Sequence, residues 1–102
     1  MTNLEYIQDR VPYGEQLAQL AEEAMELGQA ALKLRRALDR SNPTPVRFED
    51  ALSGFREEMA DVSLCLQVLG YTQPTTAVQE IMQAKLDRWA SRLREKEGNV
   101  EL

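Results

Sequence analysis

The chain has 102 residues, 43% of them hydrophobic and 28% charged, the balance of one folded domain rather than a disordered segment. Its 17 acidic and 12 basic residues leave a net charge of −5, which argues against a general nucleic-acid surface, because binding a phosphate backbone needs positive potential. No run approaches the roughly 18 apolar residues of a membrane span, no apolar signal region opens the chain, and one cysteine, Cys65, cannot form an internal disulfide; a cytoplasmic protein is expected.

Thr2-Asn3-Leu4-Glu5 has the form of a capping box, so Asn3 to Gln8 is expected to form a short leading helix or else a loose arm. The first main helix is expected to start at Asp9 or the residues before Pro12 and to run to about Leu38. Its apolar stripe reads Leu17, Leu20, Ala24, Leu27, Ala31 and Leu34. Gly28 lies within it, explained either by a close helix approach or by room for a ligand beside Glu26, and Lys33, Arg35 and Arg36 read as a solvated face that favours the helix dipole. Asp39 to Pro45 holds two prolines among turn formers and reads as the connection of a helical hairpin.

Thr44 and Pro45 make a suitable N-cap and first helical residue, and the second main helix is expected to continue to Leu69, ended by Gly70. Its stripe is Leu52, Phe55, Met59, Val62, Leu66 and Leu69, and Cys65 reads as core. A third helix is expected from about Pro74 to Glu97, ending before Gly98, with a stripe of Val78, Met82, Leu86, Trp89 and Leu93. Trp89 reads as core rather than as a stacking platform. Lys85, Arg88 and Arg92 fall together on one flank of that stripe, either as a solvated edge or as cations that receive phosphate oxygens. The fold class is therefore all-α: three main helices, plus the possible short leading one, in a single domain over residues 1–102.

Two acidic pairs stand out, Glu23-Ala24-Met25-Glu26 and Glu58-Met59-Ala60-Asp61. Residues three apart share a helix face. By the 100° step, Glu23 and Glu58 lie roughly 60 to 70° from the centres of their stripes, and Glu26 and Asp61 roughly 120 to 130°, all with one sign. In an antiparallel hairpin, equal offsets of one sign fall on one side of the pair. Glu26 lies about 18 Å before the end of its helix and Glu58 about 18 Å after the start of the next, so they should be level. Four converging carboxylates repel one another unless a cation is present. Oxygen-only ligands suit Mg²⁺, with Mn²⁺ as the second choice; with no histidine in the chain, zinc is poorly served.

Written as Glu22-Glu23-Ala24-Met25-Glu26-Leu27 and Glu58-Met59-Ala60-Asp61-Val62, followed by Lys85-Leu86-Asp87-Arg88, the chain from Tyr13 to Arg92 resembles the MazG-type all-α nucleoside triphosphate pyrophosphohydrolases. The separation of the two pairs is somewhat longer than is typical there, which suggests a longer hairpin connection. The resemblance implies a MazG-like helical bundle completed by a second subunit, as homodimer or homotetramer; the small core of a chain this short points the same way. It also implies Mg²⁺-dependent cleavage of a nucleoside triphosphate between the α and β phosphates. Glu23, Glu26, Glu58 and Asp61 would hold metal, Glu22 or Glu57 would orient the attacking water, and Lys85, Arg88 and Arg92 would bind substrate. Two alternatives stay open: a phosphoribosyl-ATP pyrophosphohydrolase, and a non-enzymatic helical interaction module whose acids are only a solvated face. Neither the base nor the sugar of the substrate is legible.

Overall fold

In the computed structural model, which describes residues 1–39 and 46–100 and the side chains of all but Asn99 and Val100 among them, four helices follow one another: α1, Asn3–Arg10; α2, Tyr13–Asp39; α3, Phe48–Val68; and α4, Thr76–Val100. There is no strand among the described residues, and no described helix is long and apolar enough to cross a membrane. The chain divides into two compact units, Met1–Thr72 and Gln73–Leu102.

The leading helix forms with the expected capping box: the Glu5 amide donates to Thr2 Oγ1 at 3.1 Å, and the Glu5 carboxylate accepts from the Thr2 amide at 3.5 Å. It ends because Val11 precedes a proline. The ring of Pro12 disfavours helical torsions in the residue before it, and Val11 is extended at φ −94°, ψ 119°. Pro12 therefore stands before α2 rather than inside a helix begun at Asp9, and its carbonyl accepts from the amides of Glu15 and Gln16.

The connection expected after Asp39, with Thr44 and Pro45, lies outside the described residues from position 40 onward. The described helix α3 starts later than expected. Arg47, extended at φ −71°, ψ 132°, holds the N-cap position without a side-chain hydrogen bond, and Glu49 and Asp50 supply negative charge to the first turn instead. At the other end Gly70 stops the helix as expected: with φ +93° its amide donates to the Gln67 carbonyl at 2.9 Å while the Tyr71 amide donates to the Leu66 carbonyl at 2.8 Å. These two bonds are the Schellman arrangement, which needs a left-handed residue.

The first unit is an antiparallel pair, α2 against α3, with α1 across one end. Numbering rises along one helix as it falls along the other, since Arg36 lies by Asp50, Glu26 by Glu58 and Gln16 by Cys65. The buried or half-buried seam residues of α2 are Gln16, Leu20, Glu23, Leu27, Ala30, Leu34, Arg36 and Ala37; those of α3 and its C-cap are Ala51, Leu52, Gly54, Phe55, Glu58, Val62, Cys65, Leu66, Val68 and Leu69. Most of the apolar stripes expected are among them: Leu20, Leu27 and Leu34 on α2, and Leu52, Phe55, Val62, Leu66 and Leu69 along α3. Leu17, Ala24, Ala31 and Met59 are exposed, and the acids Glu23 and Glu58 occupy seam positions. Ala51, 2% exposed, is the one buried hydrophobic residue among those described. Gly28 makes no close helix approach, since a Cβ there would meet nothing within 4 Å.

Gln side chains tie α1 down. Gln8 Nε2 donates to the last carbonyls of α3, Gln67 and Val68, both at 3.2 Å. Gln16, 9% exposed, donates from Nε2 to the Val11 carbonyl at 2.8 Å and to that of Gln8 at 3.5 Å.

In the second unit α4 follows Thr75, whose hydroxyl accepts from the Val78 amide at 3.3 Å. It passes through Gly98 instead of ending there; glycine weakens a helix interior by about 1 kcal/mol but does not break it. The stripe residues Val78, Met82, Leu86, Trp89 and Leu93 are 42 to 62% exposed, so Trp89, expected as core, is exposed.

Candidate functional site

Seam positions on two antiparallel helices bring three carboxylates together. One oxygen from each of Glu23, Glu26 and Glu58 lies within 4.8 Å of the other two. Glu23 and Glu58 are half-buried and Glu26 is exposed, so the cluster opens to solvent on the Glu26 side. Gln19, one turn before Glu23, donates from Nε2 to Glu23 Oε1 at 2.9 Å. The other oxygen, Glu23 Oε2, is buried with no hydrogen-bond partner, and so is Glu58 Oε2. Buried carboxylate oxygens without a donor are rare in folded proteins and costly.

Burial raises the pKa of Glu23 above the usual carboxylate range, and the neighbouring charges of Glu26 and Asp61 raise it further. The same causes act on Glu58: burial first, then Glu26, Asp61 and Glu23. Asp61 is therefore felt electrostatically, although it falls outside the group of three with mutually close oxygens. It borders, with Glu23, a cavity of about 440 Å³ between α1, α2 and α3. Ile7, Val11, Leu64 and Val68 give that cavity apolar walls, and Gln16 and Gln19 give it amides. Cys65 also lines it; burial, then the charges of Glu23 and Asp61, raise its pKa, so it is a neutral thiol at pH 7 rather than a nucleophile.

On the other side of the cluster a cleft of about 660 Å³ runs along both helices, bordered by Glu26 and Glu58 and, farther along α2, by Lys33 and Arg36. From the sequence these two cations are expected only on a solvated face. In the structure Arg36 is half-buried and its Nε is buried without an acceptor. No ion pair joins Lys33 or Arg36 to a carboxylate among the described residues, whereas Arg35 pairs with Asp39 at 3.3 Å. For Lys33 the signal available in the sequence is spacing, since Glu26, Ala30, Lys33 and Ala37 step by three and four along one face; Arg36 lies off that face and has no such signal.

Comparison with models of protein families, with curated proteins and with solved structures finds no match for this chain. The remaining residues singled out in the sequence lie as follows. Glu22 and Glu57 are exposed, each one position before a carboxylate of the cluster. Lys85, Arg88 and Arg92 are exposed on α4 in the second unit, where Lys85 borders a shallow groove with Trp89.

The carboxylate group fits a hard divalent cation. One oxygen from each of three carboxylates converges, Glu23 and Glu58 each have a buried oxygen with no partner, and no histidine is present to favour zinc. Mg²⁺ takes one or two carboxylates together with water and substrate phosphates rather than a full protein cage, which suits a cluster open on one side.

Proposed function

We propose that the chain is a Mg²⁺-dependent nucleoside triphosphate pyrophosphohydrolase that cleaves between the α and β phosphates, releasing a nucleoside monophosphate and pyrophosphate. The observation that carries this reading is the convergence of Glu23, Glu26 and Glu58 around two buried, unpartnered carboxylate oxygens. A surface decoration of acids would leave every oxygen in water. The resemblance to the MazG-type enzymes supplies the reaction, and the neighbouring cavities supply room for a nucleoside on one side of the acids and for phosphates on the other.

A divalent cation bound there would supply charge neutralisation for the phosphates and a bound water of lowered pKa. The chain's own residues do the rest. Gln19 fixes Glu23 by bonding Oε1, leaving Oε2 as the free acceptor. Asp61, at the edge of the nucleoside-sized cavity, adds a fourth ligand from the second acidic pair. Glu22 or Glu57, both exposed and each next in sequence to an acid of the cluster, would orient the attacking water as the base. Lys85, Arg88 and Arg92 are the cations that the resemblance assigns to the phosphates.

The same reading makes the chain a homodimer or homotetramer. In support, Leu17, Met25, Leu32 and Met59 are 43 to 63% exposed on the hairpin, apolar surface that a second copy would cover. A strict monomer at micromolar concentration by light scattering would count against it. The direct test of function is a panel of canonical and modified nucleoside triphosphates with Mg²⁺, read by pyrophosphate release. Release from none of them would remove the catalytic reading, and a melting temperature unmoved by Mg²⁺ with a non-hydrolysable nucleotide would then favour a helical interaction module.

A further inference from the structure

We propose that Lys33 and Arg36 form an oxyanion site on the hairpin itself, beside Glu26 and Glu58, that holds the departing pyrophosphate. The proposal rests on the pyrophosphohydrolase reading for its ligand, but its geometry is independent of it. Both cations border the cleft that the two acids border, and both lie on the same helix as Glu26. Lys33 is two turns on, at about 10.5 Å of rise, and Arg36 about 15 Å. Lys and Arg are long enough to place their charged ends well away from their own Cα atoms, within the cleft that Glu26 and Glu58 also border.

The independent sign of a ligand is the Arg36 Nε, a buried donor with no acceptor. Arginine normally satisfies its donors, and the Nε–H with an adjacent Nη–H is the fork that accepts two oxygens of one phosphate. Swinging the guanidinium outward into the cleft would offer that fork to an anion. Among the described residues Arg36 has no such partner: Asp50, the third acid of the cleft, makes no ion pair with it or with Lys33. A cleft bordered by acids and by two cations that make no ion pair among the described residues suits pyrophosphate, which would be held by the cations and by any divalent ion the acids bound.

The test is calorimetric titration of inorganic pyrophosphate, in the presence of Mg²⁺, into the wild-type chain and into Lys33→Gln, Arg36→Gln, Arg36→Lys and Arg35→Gln, with Mg²⁺ titrated alone in parallel. Loss of a charge-assisted bond to phosphate should weaken pyrophosphate binding about tenfold or more in Arg36→Gln and less in Lys33→Gln. Arg36→Lys should recover part of it, and Arg35→Gln, whose side chain is already paired, none should be lost. Mg²⁺ binding alone should be the same in all five, which a general structural defect would not allow. Pyrophosphate binding that is absent from the wild type, or unchanged in both Arg36→Gln and Lys33→Gln, overturns the proposal. If nucleotides are hydrolysed while those variants bind pyrophosphate normally, this site fails and the enzyme reading stands; if pyrophosphate binds through Arg36 but no nucleotide is cleaved, the site stands and the enzyme reading fails.

Discussion

Gln16 is a polar residue 9% exposed, and what it does there can be measured by replacing it with leucine, which has nearly its volume. Packing is thereby kept, and the change removes the donor that the Val11 carbonyl uses at 2.8 Å; the bond to the Gln8 carbonyl, at 3.5 Å, is at the limit of hydrogen bonding and adds little. A buried acceptor left without its donor costs about 1 to 3 kcal/mol. Because the Val11 carbonyl sits at a break between helices that water can approach, about 1 to 1.5 kcal/mol is the expected loss, at the lower end of that range. At about 4 to 8 °C per kcal/mol for a small domain, the melting temperature should fall by about 4 to 12 °C. Thermal unfolding followed by circular dichroism gives the shift, and hydrogen exchange gives its location: protection should fall most in α1, which loses one of its ties to α2. A melting temperature within about 2 °C of wild type, or a loss of protection spread evenly over α2 and α3, would refute the role assigned to this amide.

Other outcomes follow from the same structure. Glu58→Gln and Asp61→Asn should each lower pyrophosphate release about a hundredfold or more and weaken Mg²⁺ binding, with metal-free melting unchanged or raised because repulsion is relieved; Glu57→Gln should cost less, and identical behaviour of Glu57→Gln and Asp61→Asn would remove Asp61 from the ligand set. The folded-state pKa values of Glu23 and Glu58 are raised above the ordinary value of 4.5, so between that value and the raised ones the folded chain binds more protons than the unfolded one. Stability of the metal-free protein should therefore fall as pH rises through that window and reach its penalised plateau above it; melting in a chelator at pH 5 and pH 7 that gave the higher temperature at pH 7 would contradict the burial of these acids. Gly70→Ala places a side chain at φ +93° and should destabilise the first unit by about 1 to 2 kcal/mol, with denaturant titration as the check and no loss as the refuting result.

Much of this molecule was legible from its residues because the signals are local. Thr2 and Glu5 meet within one turn and Gly70 supplies the left-handed residue that ends α3, both as expected, while Pro12 acts on the torsions of Val11 and so separates α1 from α2 where a continuous first turn was expected; each acts over a few bonds. The pairing of Glu26 with Glu58 was also accessible, since equal rise along two antiparallel helices is arithmetic. The ends of α3 and α4 were less so, because Thr44 and Gly98 are permissive signals that neighbouring residues can override. What the sequence could not decide was how deeply the acid-bearing flank of each helix is buried. The expected stripes hold at Leu20, Leu27, Leu34, Leu52, Phe55, Val62, Leu66 and Leu69, while Leu17, Ala24, Ala31 and Met59 are exposed and Glu23 and Glu58 are half-buried. That packing is a property of two surfaces together and not of either helix alone. It buries the carboxylate oxygens, raises their pKa values and brings Lys33 and Arg36 to the same cleft, consequences that no single stretch of the chain contains.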